Sequence, residues 1–159
     1  MNRIAKIEID DTGLAAPTPE IEQERKVAVF DLLEQNSFAP VARGDQTPPG
    51  GPYALHLSIR DKRLVVDIAT EPGGEKAGEF HLSLGPFRQV VKDYFQICES
   101  YFDAVKKLPP AQIETIDMAR RGIHDEGARV VMERLAGKAE VDRDTARRLF
   151  TLICVLHWG

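Results

Sequence analysis

The segment from Gly85 to Leu108 carries the strongest hydrophobic pattern in the chain. Its apolar residues recur at the three- and four-residue spacing of one helical face, and five of them are aromatic. The residues on this face are Phe87, Val90, Val91, Tyr94, Phe95, Cys98, Tyr101, Phe102 and Val105. The pattern predicts a helix over 86–108 with a wide apolar face that the rest of the protein must cover.

Alternation of apolar and polar residues predicts four strands, each with one buried face. These segments are residues 3–10, 53–60, 64–69 and 80–84. Asp61 and Lys62 form a two-residue turn between the second and third segments, and a longer connection precedes the fourth. The last three segments therefore form an antiparallel meander, which the N-terminal strand can join.

Capping residues and apolar spacing predict three further helices. Thr18 and Pro19 start a helix that runs to about Gln35, with Glu22, Glu24, Arg25 and Lys26 mostly in water. Pro109 and Pro110 precede a helix over 111–135, in which Gly122 and Gly127 indicate a kink or a close helix approach. Asp142 caps the last helix, which is apolar nearly all round from Leu149 to Trp158.

These elements predict an α+β fold with a single domain over residues 1–159. A three- to four-stranded antiparallel meander packs on about four helices, and one sheet face on the 86–108 helix gives a two-layer core. The apolar last helix is either central to that core or shared with a second subunit in a homodimer.

Composition limits the cellular environments and the classes of binding partner that suit this chain. The net charge of −4 and the pI near 5.6 argue against binding to nucleic acid or to an anionic membrane. No segment is long and apolar enough to cross a bilayer, and the N-terminus lacks an apolar signal sequence. Cys98 and Cys154 sit in apolar helical patterns, which is typical of buried free thiols in the cytoplasm.

The strand register brings candidate catalytic or metal-binding residues together. With Asp61 and Lys62 as the turn, His56 lies opposite Asp67, and matching the faces of the next strand places His81 beside Asp67. Neighbouring side chains in such a row lie about 5 Å apart at Cβ, so the aspartate could orient a histidine or all three could bind a metal. The alternative is an exposed polar sheet face without chemistry.

Two further candidates lie on the helices. Arg88 and Lys92 follow the start of the 86–108 helix, where a phosphate or carboxylate would offset two cations at a positive helix end. His124 shares a helical face with Asp117 and Arg121 and is a weaker candidate metal ligand. In both places the alternative is a solvated charged surface.

Several long segments together resemble a family of small uncharacterised bacterial proteins. They are TPEIEQER, FDLLEQNSFAPV, GPYALHLSI, PFRQVVKDYFQICESYFDAV, IETIDMARRGIHDEGA and TARRLFTLICVLHW. The resemblance covers nearly the whole chain and implies a stand-alone bacterial protein of this size. It implies no activity, cofactor or catalytic residue.

Two functional hypotheses follow. The sequence contains no HExxH, P-loop, GxGxxG, Ser-His-Asp motif or zinc-ligand spacing, which favours a non-catalytic cytosolic interaction or regulatory protein with a protein partner. The alternative is a phosphate- or metal-binding protein or a small enzyme. It would use the row of His56, Asp67 and His81 or the anion site at Arg88 and Lys92.

Overall fold

The computed structural model describes residues 2–14, 16–42 and 47–156 of the chain. The elements, in chain order, are β1 (Ile4–Ile9), α1 (Pro19–Glu34), β2 (Phe38–Pro40), β3 (Tyr53–Arg60), β4 (Arg63–Thr70), β5 (Lys76–Ser83), a 3₁₀ turn (Gly85–Phe87), α2 (Arg88–Lys107), α3 (Pro110–Leu135), β6 (Ala139–Val141) and α4 (Arg143–Leu156). The predicted α+β class is confirmed. No helix in the described ranges is long and apolar enough to span a membrane.

The main sheet has the strand order β1-β3-β4-β5. Strands β3, β4 and β5 form the predicted antiparallel meander. Strand β1 joins it, but in parallel to β3, because α1 and β2 carry the chain back before β3 begins. The short strands β2 and β6 pair in a second, two-stranded sheet that the hydrophobic pattern did not predict.

The turn between β3 and β4 fixes the register of this hairpin. Asp61 and Lys62 both have left-handed backbone angles, with φ of 52° and 61°. Positive φ at both central residues is the geometry of the two-residue turn that matches strand twist. Arg60 then faces Arg63, and His56 faces Asp67 as predicted.

The core face of the sheet packs on α3 and α4. Leu55, Leu57 and Val66 of the sheet and Val131 and Ile153 of these helices surround one small enclosed space. Helix α2, which was expected to cover the sheet, packs chiefly against α3. The expectation was wrong in this detail because apolar spacing shows that a helix face is buried but does not identify what covers it.

Helix α4 is central to the core. Every residue from Leu149 to Leu156 is buried, since α1 and α3 both pack against this helix. Burial within one chain accounts for its apolar character all round, so the described part of α4 has no apolar face left for a second copy. Trp158, which belonged to the predicted helix, lies outside the described residues.

Both predicted caps are present, and the second supports a stability prediction. The Thr18 hydroxyl accepts a hydrogen bond from the Ile21 amide at 3.2 Å, and an Asp142 carboxylate oxygen accepts one from the Thr145 amide at 2.8 Å.

We expect Asp142→Ala to lower the free energy of unfolding by about 1 kcal/mol. Asp142→Asn keeps the acceptor and should stay within a few tenths of a kcal/mol of wild type. Urea unfolding of the three proteins measures this, and equal losses in both variants would contradict the cap.

Candidate functional site

The candidate row on the outer sheet face differs from the prediction in one strand. His56 does face Asp67, but Asp67 faces Glu79 on β5, and His81 faces Val65. Placing His81 beside Asp67 was therefore wrong by two residues. A shift of two positions leaves every side chain on its predicted face, which is why the apolar pattern could not detect it.

On this face each of the two histidines lies beside a glutamate, and the carboxyl groups of Asp67 and Glu79 face each other between β4 and β5. His56 Nδ1 lies 3.5 Å from Glu8 Oε2, and His81 Nε2 lies 3.2 Å from Glu79 Oε2. Partial burial and the facing Glu79 raise the pKa of Asp67, whereas hydrogen bonds from Asp67 and His81 lower the pKa of Glu79. Among the described residues, no group of three histidine, cysteine, aspartate or glutamate side chains could hold a metal ion.

The predicted anion site at Arg88 and Lys92 has fewer free amides than expected. The 3₁₀ turn satisfies the Phe87 amide with the Leu84 carbonyl at 3.0 Å, and the Arg88 amide donates to the Gly85 carbonyl. Lys92 lies on the wall of a groove between α1 and α2, while Arg88 is solvent-exposed. The side chains of Arg88 and Lys92 and the start of α2 therefore do not line a common pocket.

His124 lies instead in a mainly aromatic environment. Its ring makes edge-on contacts with Tyr94 and Phe150, with ring centroids 5.3 Å and 6.2 Å apart. Its Nε2 atom is buried and has no hydrogen-bond partner in the described part of the chain. Burial, reinforced by the charges of Arg120 and Arg147, lowers the pKa of His124 to about 4, so the ring is neutral at pH 7.

Next to His124, α1 and α3 are joined by an ion pair that the sequence analysis missed. Arg120 Nη2 donates to both carboxylate oxygens of Glu24, at 3.0 Å and 3.2 Å, and its guanidinium lies 4.8 Å from the centre of the Tyr101 ring. Glu24 was expected to lie in water, but only 14% of its side chain is exposed. The partners are 96 residues apart, so no local spacing could indicate the pair.

This ion pair lies at one side of a cleft between α1, α3 and α4, which we name the charged cleft. It encloses about 230 Å³. Its charged and titratable lining residues are Glu24, Asp31, Arg120, His124, Asp144, Arg147 and Arg148. Arg147 lies 3.6 Å from Asp125, whereas Asp31, Asp144 and Arg148 form no ion pair within the described ranges.

An exposed apolar stripe borders the charged cleft on α1. Val27 lines the cleft and is 46% exposed, and Phe30, one turn further along, is 67% exposed. The buried side of α1 is formed by Ile21, Ala28 and Leu32. Val27 and Phe30 fall outside that face on a 3.6-residue helix, and this was the signal in the sequence that could have identified them.

Known proteins place this chain in a family but do not assign it a function. A family model described as an uncharacterised protein family, UPF0262, matches residues 1–159. A UPF0262 protein of Ruegeria pomeroyi is 76% identical over 159 residues, covering 100% of this chain and 98% of its own. Another from Roseobacter denitrificans is 74% identical, with 100% and 99% covered. No solved structure matches the chain. The chain belongs to the uncharacterised bacterial protein family UPF0262.

Proposed function

We propose that this protein is non-catalytic and binds a protein partner through Val27, Phe30 and the charged cleft beside them. The observation that carries the proposal is the 67% exposure of Phe30 in a fold that buries Phe38, Phe80, Phe87 and Phe150 almost completely. Burying a phenylalanine side chain contributes about 1.5–3 kcal/mol, and the fold leaves this contribution unused. A partner that covers α1 would gain it.

The chemistry around Phe30 matches that of protein–protein interfaces. Aromatic and arginine side chains are enriched at the centres of such interfaces, and polar groups form the rim. Phe30 and Val27 supply the apolar centre, while Arg148, Asp31 and Asp144 supply charges of both signs at the rim. Because the cleft is not predominantly basic, a protein surface with both charges fits it better than a nucleic acid.

We place the protein in the cytoplasm, where Cys98 and Cys154 stay reduced. Both thiols are buried, and burial raises the pKa of Cys98 to about 11, so neither is poised for thiol chemistry. A homodimer was first expected through the C-terminal helix, but the described part of that helix is covered within one chain. The exposed stripe on α1 is the better surface for a partner.

The test uses substitutions that remove the apolar stripe without touching the core. A tagged chain is expressed in the bacterium that encodes it, and the partner that co-purifies is identified, purified and titrated against the chain by calorimetry. We expect Phe30→Ser to raise the dissociation constant roughly tenfold or more, because a central aromatic side chain contributes about 2 kcal/mol or more to such complexes.

The matched control is Met118→Ser on α3, where the methionine is 64% exposed and lies outside the charged cleft. This variant should bind like wild type. Equal affinity of the Phe30 and Met118 variants would overturn the proposed surface. Thermal stabilisation by a phosphate or divalent metal that is unchanged in Phe30→Ser would favour a small-ligand function instead.

A further inference from the structure

Strand β5 forms an open edge of the main sheet. It has eight residues, pairs with β4 on one side, and has no strand partner on the other among the residues described. Natural edge strands are usually shortened, covered or interrupted by proline, because their free backbone groups can pair with another chain. Strand β5 is long for an edge and contains no proline.

The hairpin between β3 and β4 determines which backbone groups face this edge. Arg60 and Arg63 close a two-residue turn and are therefore a hydrogen-bonded pair. Because hydrogen bonds in a central strand alternate between its two neighbours, Val65 and Asp67 bond to β3. Leu64 and Val66 then bond to β5.

In β5, the partners of these residues point their backbone groups inward. Phe80 faces Val66 and Leu82 faces Leu64, so the amides and carbonyls of Phe80 and Leu82 are used within the sheet. The backbone groups of the alternate residues, Glu79, His81 and Ser83, point to the open edge.

A cavity of about 360 Å³ lies beside this edge, at the start of β5. Ile68 and Phe80 contribute apolar lining from the sheet, and Pro40 and Val41 also line the cavity. Gly78 lines the cavity as well, and a Cβ atom added there would meet only the Ile68 side chain, at 3.8 Å. The missing side chain of Gly78 therefore leaves space in the cavity.

The charges around the cavity favour an acidic occupant. Lys76 and Lys138 line it, and neither forms an ion pair with any residue that the structure describes. Glu79 also lines it. Its carboxylate is engaged by His81 at 3.2 Å and by Asp67, and Lys76 attracts it without coming within ion-pair distance. The two lysines outnumber the one carboxylate that lines the cavity, so an acidic side chain beside them would meet net positive charge.

We propose that β5 binds an extended segment of a partner protein, which adds as a strand to this edge. The segment inserts one apolar side chain into the cavity beside Gly78 and places an acidic side chain near Lys76 and Lys138. In this mode the backbone hydrogen bonds supply affinity, and the pocket and charges supply specificity. The site shares no residue with the stripe and charged cleft on α1, so each can be tested separately.

The probe is a library of random dodecapeptides displayed on phage and selected on the wild-type chain. Selected peptides should share an apolar residue and an acidic residue two positions away, because side chains two apart share one face of a strand. Added peptide should slow hydrogen exchange at the amides of Glu79, His81 and Ser83, since each would gain an acceptor.

Gly78→Val narrows the cavity. Its Cβ atom would lie at an ordinary contact distance of 3.8 Å from the Ile68 side chain, and valine favours strands. We expect it to raise the peptide dissociation constant roughly tenfold or more while leaving the unfolding transition intact. Thr115→Val introduces valine at an exposed position on α3, outside the cavity and the open edge, and should bind like wild type. Phe30→Ser should also bind these peptides normally, which separates this site from the proposed function.

Three results would overturn the proposal. Selection could yield no peptides with the shared pattern, or Gly78→Val could bind them as tightly as wild type. Alternatively, light scattering could reveal a dimer in which the Glu79, His81 and Ser83 amides are already protected without peptide. The last result would assign the edge to a second copy of this chain.

Discussion

Replacing Gly127 with alanine is expected to lower the free energy of unfolding by about 2 kcal/mol, which is within the usual range for overpacking a core. Gly127 is buried on α3, and a Cβ atom there would overlap the Phe150 ring of α4. That ring cannot move aside easily, because it is fully buried and packs edge-on against Tyr94 at 5.7 Å. The steric cost therefore exceeds the gain in helix propensity.

Gly122→Ala is the matched control in the same helix. Gly122 is exposed and an added Cβ would meet nothing within 4 Å, so this variant should gain up to about 1 kcal/mol from helix propensity alone. Urea unfolding followed by circular dichroism measures both variants. If Gly127→Ala were as stable as Gly122→Ala, α3 and α4 would not pack as closely at Phe150 as described here.

The two glycines illustrate what the sequence could establish about α3. Gly122 and Gly127 indicated a kink or a close helix approach, and both lie in one helix from Pro110 to Leu135. The close approach occurs at Gly127 alone. The sequence could not separate the two positions, because the ring that requires the glycine belongs to a helix later in the chain.

The same distinction between local and distant signals explains the sheet. The register of β3 and β4 was predicted correctly because a two-residue turn at Asp61 and Lys62 leaves one arrangement. The register of β5 was not, because a longer connection precedes it and a bulge occurs near Ile68. Of the candidate row, the sequence therefore placed His56 and Asp67 correctly and His81 two residues away from its position.

The candidate surface on α1 was the hardest part to predict. Helical spacing puts the buried residues Ile21, Ala28 and Leu32 on one face of α1 and leaves Val27 and Phe30 outside it. Their importance depends on the charged cleft beside them, which forms only when α1, α3 and α4 pack together. The apolar residues of this surface could therefore be predicted from the sequence, whereas the charged cleft depends on tertiary packing.

Lowering the pH from 7 to 5 is expected to destabilise the protein through His124. Its folded pKa of about 4 lies below the usual histidine value of 6.5, because burial and the charges of Arg120 and Arg147 oppose protonation. Asp117 and Asp125 act in the opposite direction but more weakly. The unfolded chain therefore binds the proton more readily, so stability is complete above about pH 6.5 and falls progressively towards pH 4.

The size of this effect can be isolated by comparing wild type with His124→Gln. From these two pKa values, the histidine should cost wild type about 2 kcal/mol at pH 5 relative to pH 7. The variant lacks this titration but keeps every carboxylate, so its unfolding free energy should fall by about 2 kcal/mol less over the same interval. Urea unfolding at both pH values gives the difference directly. Parallel losses in the two proteins would mean that the His124 ring accepts a proton as easily in the folded state as in water. That result would contradict the lowered pKa of His124 and its burial beside Arg120.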